Sequence, residues 1–169
     1  MTHIDNTARV AVEGGRIMTG FLAGLTAEQA AEALAYDGQD IHGYVPVATQ
    51  LELLPPGFIY LGSPYSLYEH GHDKAAAFAS EAAGYLMLRG FSVFAPIPHG
   101  HFITSTEALP PDWPFWKRQC EPFIDAASAL VVLKLDGWRD SVGLTYEIAR
   151  FHEAGKPIVY VTMEELANG

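Results

Sequence analysis

The sequence predicts an α/β domain built on an open, mostly parallel sheet, and three observations carry that expectation. Between Phe58 and Val161, short apolar runs alternate with longer segments rich in helix-forming residues. The runs are continuous rather than alternating, as in strands buried on both faces. The segments between them have the length of right-handed crossover helices, which return the chain to a parallel strand.

In order, Phe58-Ile59-Tyr60-Leu61 reads as the first strand, ended by Gly62-Ser63-Pro64. Residues from about Glu69 to Arg89, rich in Ala, Leu and Met, read as a helix with Gly90 behind its C-terminus. Phe91 to Ala95 is the second strand, and the proline-bearing stretch from Pro96 to Pro111 reads as a loop. Pro114 to Ala127 is a helix, with Pro114 tolerated in its first turn. Ala129 to Leu135 is the clearest strand, Gly143 to Ala154 a helix closed by Gly155, and Pro157 to Val161 the last strand. The expectation is a Rossmann-like, flavodoxin-like sheet of four to five strands with helices on both faces.

Residues 1–56 differ from the rest. Thr26 and Gln29 form a capping-box pattern, and Leu25, Ala30, Ala33 and Leu34 a helical stripe. Pro55-Pro56-Gly57 then punctuates the chain. The division expected is an N-terminal arm or cap over 1–56, packed on the main domain or a neighbouring subunit, and an α/β domain over 57–169.

Composition excludes several classes. An apolar content of 49% supports a packed core and argues against disorder. The formal net charge is −10 and the ten Lys and Arg are scattered, so the basic face that nucleic acid requires is missing. A single cysteine, Cys120, allows no intrachain disulfide. The first residues lack a signal-peptide pattern and no apolar run approaches a membrane span, so the expectation is a cytoplasmic protein without membrane partners.

In open parallel sheets, ligands bind beyond the carboxyl ends of the strands. That rule selects the loops 62–66, 96–112 and 136–143. The last of these contains Asp136, Trp138, Asp140 and Ser141 and runs through Gly143 into the helix bearing Glu147. A serine and free backbone N–H groups at a helix start make an anion site. Glu147, one turn inside, leans back towards the same crevice. Tyr60, Tyr65, Trp113, Trp116 and Trp138 surround these loops; Tyr60 reads as core, while Trp116 and Trp138 serve either packing or stacking on a flat ligand. His-Gly-His occurs at His70/His72 and at His99/His101. No cysteine or acidic ligand accompanies them in a standard zinc spacing, so no metal is expected, and His99 and His101 read as substrate contacts.

Three stretches carry a family likeness. Tyr60-Leu61-Gly62-Ser63-Pro64 resembles the first strand and loop of the nucleoside 2-deoxyribosyltransferase superfamily. The run from Asp140 through Glu147 to Ile148, followed by Gly155-Lys156-Pro157, resembles its most diagnostic segment. Phe94-Ala95-Pro96-Ile97-Pro98-His99 is similar to the DUF1937 branch of that superfamily. The resemblance spans roughly Phe58 to Val161. It implies N-glycosidic chemistry on a nucleotide or nucleoside without a cofactor: Glu147 attacks the anomeric carbon, and Asp140 and Tyr60 complete the catalytic group. Ser63 and Ser141 stand where a nucleotide-hydrolysing branch holds the 5′-phosphate, and Tyr65, His99, His101, Trp116, Asp136, Trp138 and Gly143 fall around the substrate. It also implies a homodimer or higher homo-oligomer with shared sites. One departure stands out: where many members carry an aspartate in the helix before the strongest strand, this chain has Cys120. Asp112, Asp125, Asp136 and Asp140 are the carboxylates available to replace it. The competing readings are a module that binds a nucleotide or ADP-ribose-like ligand without turnover and, resting on the paired histidines alone, a metal-dependent hydrolase.

Overall fold

The computed structural model describes residues 12–13, 16–17, 45–106, 109–110 and 112–168. The elements, in chain order, are β1 (Val12–Glu13), β2 (Arg16–Ile17), α1 (Val47–Glu52), β3 (Phe58–Gly62), α2 (His72–Leu88), β4 (Ser92–Phe94), α3 (Pro96–Thr106), α4 (Trp113–Ala126), β5 (Ala129–Leu133), α5 (Val142–Glu153), β6 (Ile158–Val161) and α6 (Met163–Asn168). β1 and β2 pair antiparallel. The main sheet has the order β4-β3-β5-β6 and every pairing in it is parallel.

The sheet is therefore an open α/β sheet of four strands, in the order of the first four strands of a flavodoxin-like fold. Its chain reverses direction across the sheet between β3 and β5: from β3 it moves outward to β4, then crosses back to β5. The loops leaving β3 and β5 diverge there and open a crevice.

Strand residues alternate between two cores. Ile59, Leu61, Val131, Leu133, Val159 and Val161 face α1, α2 and α6. Tyr60, Leu130, Val132 and Ile158 face α4 and α5, through Cys120, Ile124, Leu144 and Phe151. α2 buries Ala75, Ala76, Ala79, Ala82 and Ala83, small residues that bring its axis close to the sheet. Gly90 and Gly155 follow α2 and α5 at φ +87° and +63°, in the left-handed region that glycine adopts without a Cβ clash.

The stretch from Pro96, read from the sequence as a loop, is instead the helix α3 up to Thr106. Its prolines sit in the first turn, where backbone N–H groups have no intrahelical acceptor to lose. Three hydroxyls bond back within the helix: Thr104 to the carbonyls of Gly100 and His101, Ser105 to Phe102, and Thr106 to Ile103. The second and third sheet strands are shorter than expected, ending at Phe94 and Leu133. Beyond Leu133, Lys134 N–H still donates to Val161 O at 2.8 Å, after which Leu135 N–H turns back to Leu133 O. Within the N-terminal zone, α1 packs on the main domain by burying Val47 and Leu51. The helix expected from Thr26 lies outside the described residues.

α4 starts at an N-cap whose loss is measurable. The Asp112 carboxylate accepts from Phe115 N–H at 3.0 Å, in an exposed position. Asp112→Ala is expected to lower the stability by about 1 kcal/mol, as for an ordinary N-cap. Equilibrium urea unfolding reads this as a lower midpoint at an unchanged slope; an unchanged midpoint refutes it.

Candidate functional site

Glu147 is buried, and its place in α5 explains how. Leu144, Glu147 and Phe151 are the buried residues of that helix, at the i, i+3, i+7 spacing of a core-facing stripe. A glutamate thus occupies a position that the fold assigns to an apolar side chain. It is only 6% exposed. Its Oε1 accepts a hydrogen bond from the Tyr60 hydroxyl at 2.6 Å, and Tyr60 reaches it from β3. The close approach depends on Gly62, at the end of β3. A Cβ there would lie 2.7 Å from Leu144 Cδ1 and 2.9 Å from Glu147 Oε2.

The electrostatics follow from this burial. Loss of solvent pushes the Glu147 carboxyl up to about 8, against the Tyr60 hydrogen bond, which favours the carboxylate. Burial, and then the neighbouring Glu147 charge, push the Tyr60 hydroxyl up, so it keeps its proton and acts as donor. Cys120 stands beside both groups. Burial pushes its thiol up to about 11, so it is a neutral thiol at pH 7 rather than a nucleophilic thiolate.

Glu147 opens onto a cleft of ≈ 680 Å³ at the carboxyl ends of β3 and β5. That volume suits a small organic ligand. One wall is the start of α5: Ser141, Val142, Gly143 and Leu144. Ser141 caps this helix through its Oγ, which accepts from Leu144 N–H at 3.4 Å. Opposite, on the loop after β3, Ser63 is 5% exposed and its Oγ has no hydrogen-bond partner among the described residues. A buried hydroxyl without a partner costs free energy unless a ligand or solvent completes it. Trp113 and Trp116 supply flat apolar wall. Trp113 lies on Gly143 and Trp116 on Gly100, so close that a Cβ at either glycine would sit 3.0 Å and 2.8 Å from the indole.

The structure thus brings together Glu147, Ser63, Tyr65, His101, Trp116, Ser141 and Gly143 around one cleft, with Tyr60 behind Glu147. Four other expected residues are not among the cleft-lining ones. Asp140 is exposed on the loop before α5. Asp136 is exposed beside Glu69 and His70. Trp138 packs on Tyr160 at a centroid distance of 5.5 Å, with the Arg139 guanidinium over its ring. His99 lies against Phe94. Ile97, Gly100 and Thr104 line the cleft without having been anticipated. With His101 they fall at i, i+3, i+4 and i+7, a helical stripe readable in the sequence once Pro96 and Pro98 are allowed in a first turn.

Fold and cleft define a Rossmann-like α/β protein with a buried carboxyl group at the floor of a ligand-sized crevice at its switch point. The chain belongs to the DUF1937 family: the model described as "Domain of unknown function (DUF1937)" matches residues 57–163. No curated protein matches the chain. Among the described residues, no helix is long and apolar enough to cross a membrane.

Proposed function

We propose that this protein cleaves or exchanges the N-glycosidic bond of a 2′-deoxynucleotide or nucleoside, with Glu147 as nucleophile. The observation that carries the reading is Glu147 itself: a buried carboxyl on an apolar helix stripe, oriented by Tyr60 and facing a cleft. Burying such a group costs stability, and a structural role has a cheaper solution in leucine. As carboxylate it attacks the anomeric carbon and forms a glycosyl ester, which water or a second base then resolves. The rest of the cleft suits that substrate. The orphaned Ser63 hydroxyl and the N-terminal N–H groups of α5 fit a phosphate or sugar hydroxyl, and the two tryptophans fit a base. The likeness to the nucleoside 2-deoxyribosyltransferase superfamily at Tyr60–Pro64 and Asp140–Ile148 supports the same chemistry. The proposal extends to a homo-oligomer, with exposed Phe102 and Val142 beside the cleft as apolar surface for a neighbour.

A second reading is a binding module without turnover. Cys120 favours it, because a thiol, a weak hydrogen-bond donor, stands where the resembled family uses an aspartate. Incubating the protein with each 2′-deoxynucleoside and its 5′-monophosphate, and following free base by chromatography, tests the two. Release of base supports the enzyme. Saturable binding of the nucleotide without release supports the module and ends the enzymatic reading.

A further inference from the structure

The cleft holds a second set of titratable side chains, on the wall formed by the β3 loop, the start of α2 and α3. The Tyr65 hydroxyl and His101 Nδ1 are 2.9 Å apart. His101 Nε2 lies 3.5 Å from Asp73 Oδ1, and the Asp73 side chain is almost wholly exposed. The Tyr65 ring stacks on His72 at a centroid distance of 4.4 Å and an interplanar angle of 17°. The phenol ring is therefore fixed by stacking and its hydroxyl by an imidazole. A line of polar groups runs from solvent at Asp73, through His101, to a hydroxyl at the cleft. Tyr65, His72, His101, Cys120 and Glu147 are the titratable residues lining the cleft. Tyr65 and His101 are the pair among them whose hydrogen bond connects the cleft to bulk water.

Resting on the N-glycosidic reading above, we propose that Tyr65 is the general acid that protonates the departing base, with His101 the positioning residue that replenishes its proton. The arrangement supplies the proton donor that Cys120 does not. In the first half-reaction the Glu147 carboxylate forms a C–O bond to the anomeric carbon as the C–N bond breaks. The leaving nitrogen takes the Tyr65 O–H proton, and Tyr65 takes a proton from His101 Nδ1. His101 Nε2 takes one in turn from bulk water beside Asp73. In the second half-reaction water attacks the anomeric carbon and the ester C–O bond breaks, restoring the Glu147 carboxylate. The proton of that water passes through Tyr65 back to His101 Nδ1 as Nε2 returns its proton to bulk water, so no acid or base is consumed over the cycle. Burial and the Asp73 charge push the Tyr65 hydroxyl up, which keeps it in the protonated form a donor requires.

A comparison of leaving groups tests the assignment. The substrates are a natural 2′-deoxynucleotide, whose base needs a proton to depart, and the matching 4-nitrophenyl 2-deoxyriboside 5-phosphate, whose nitrophenolate leaves without one. Under single-turnover conditions, which read only the first half-reaction, Tyr65→Phe is expected to slow release of the base from the nucleotide by ~100-fold or more, the ordinary worth of a general acid, and to leave release of the nitrophenolate nearly unchanged. His101→Gln is expected to show the same selective loss, since it acts through Tyr65. Equal losses on both substrates mean a structural role and overturn the proposal; so does full activity of Tyr65→Phe on the nucleotide. Those results leave the Glu147 reading standing. If the wild-type protein turns over neither substrate, both the N-glycosidic reading and this assignment fall.

Discussion

Glu147→Gln is expected to abolish base release while leaving the protein folded and able to bind its nucleotide. The amide has the size of the carboxyl, and its carbonyl oxygen can still accept from the Tyr60 hydroxyl that now lies 2.6 Å from Oε1. What it cannot do is form the glycosyl ester. Losing a covalent nucleophile removes at least ~10³-fold in rate, or roughly 4 kcal/mol of transition-state stabilisation. The check is base release under single-turnover conditions, alongside nucleotide binding by calorimetry. Mass spectrometry of wild-type protein quenched during turnover should also find one deoxyribosyl adduct, on the peptide bearing Glu147. Base release by the glutamine variant at a rate close to wild type would sink the nucleophile assignment, and with it the mechanism.

The fold was legible because its strands are extreme. Ala129-Leu130-Val131-Val132-Leu133 is wholly buried, and in a chain of this length an unbroken apolar run of that kind belongs in the middle of a parallel sheet. Gly90 and Gly155 stop their helices as their positions suggested. α3 was hidden by Pro96 and Pro98: proline reads as a breaker unless its place in the first turn is known, and the register of that turn is set by the end of β4. α1 was hidden by shortness, since six residues between Pro46 and Pro55 show too little periodicity to separate helix from loop.

The site was legible in part, for a related reason. Glu147 could be found because it lies one turn inside the helix that follows the strongest strand's loop, where a helical side chain leans back towards the strand ends; its burial on the stripe of Leu144 and Phe151 became visible only in the fold. Ser63, Ser141 and Gly143 follow from the rule that ligands gather at strand carboxyl ends. That rule selects loops, however, and not side-chain directions. Asp136, Trp138 and Asp140 sit on a selected loop, yet Trp138 turns onto Tyr160 and Asp136 and Asp140 stay in solvent. The Tyr65–His101–Asp73 line joins three separate elements, β3's loop, α3 and α2. No spacing within one segment encodes such a contact.

The same buried carboxyl predicts how stability depends on pH. In the folded chain Glu147 is raised from 4.5 to about 8, chiefly by burial. Unfolded, it returns to the ordinary carboxylate range. Between those values the folded state holds a proton that the unfolded state has released, so stability falls as pH rises across that window. The contribution is full below about pH 4 and gone above the folded value, where both states are ionised. A shift of this size corresponds to roughly 3 to 5 kcal/mol across the window, at about 1.4 kcal/mol per unit. Glutamine does not titrate. The Glu147→Gln variant is therefore expected to gain on the wild type by several kcal/mol between pH 5 and pH 9, and to be the more stable of the two at the alkaline end. Urea unfolding of both proteins at several pH values reads this as diverging midpoints; parallel profiles would mean that Glu147 is ionised in the fold. The ionised form is also the nucleophilic one. At pH 7 a group with a value near 8 is charged in only about one molecule in ten, so base release is expected to rise with pH over the same interval in which the fold loses stability. A carboxylate kept for packing would give no such opposition; one kept for attack on an electron-poor carbon must.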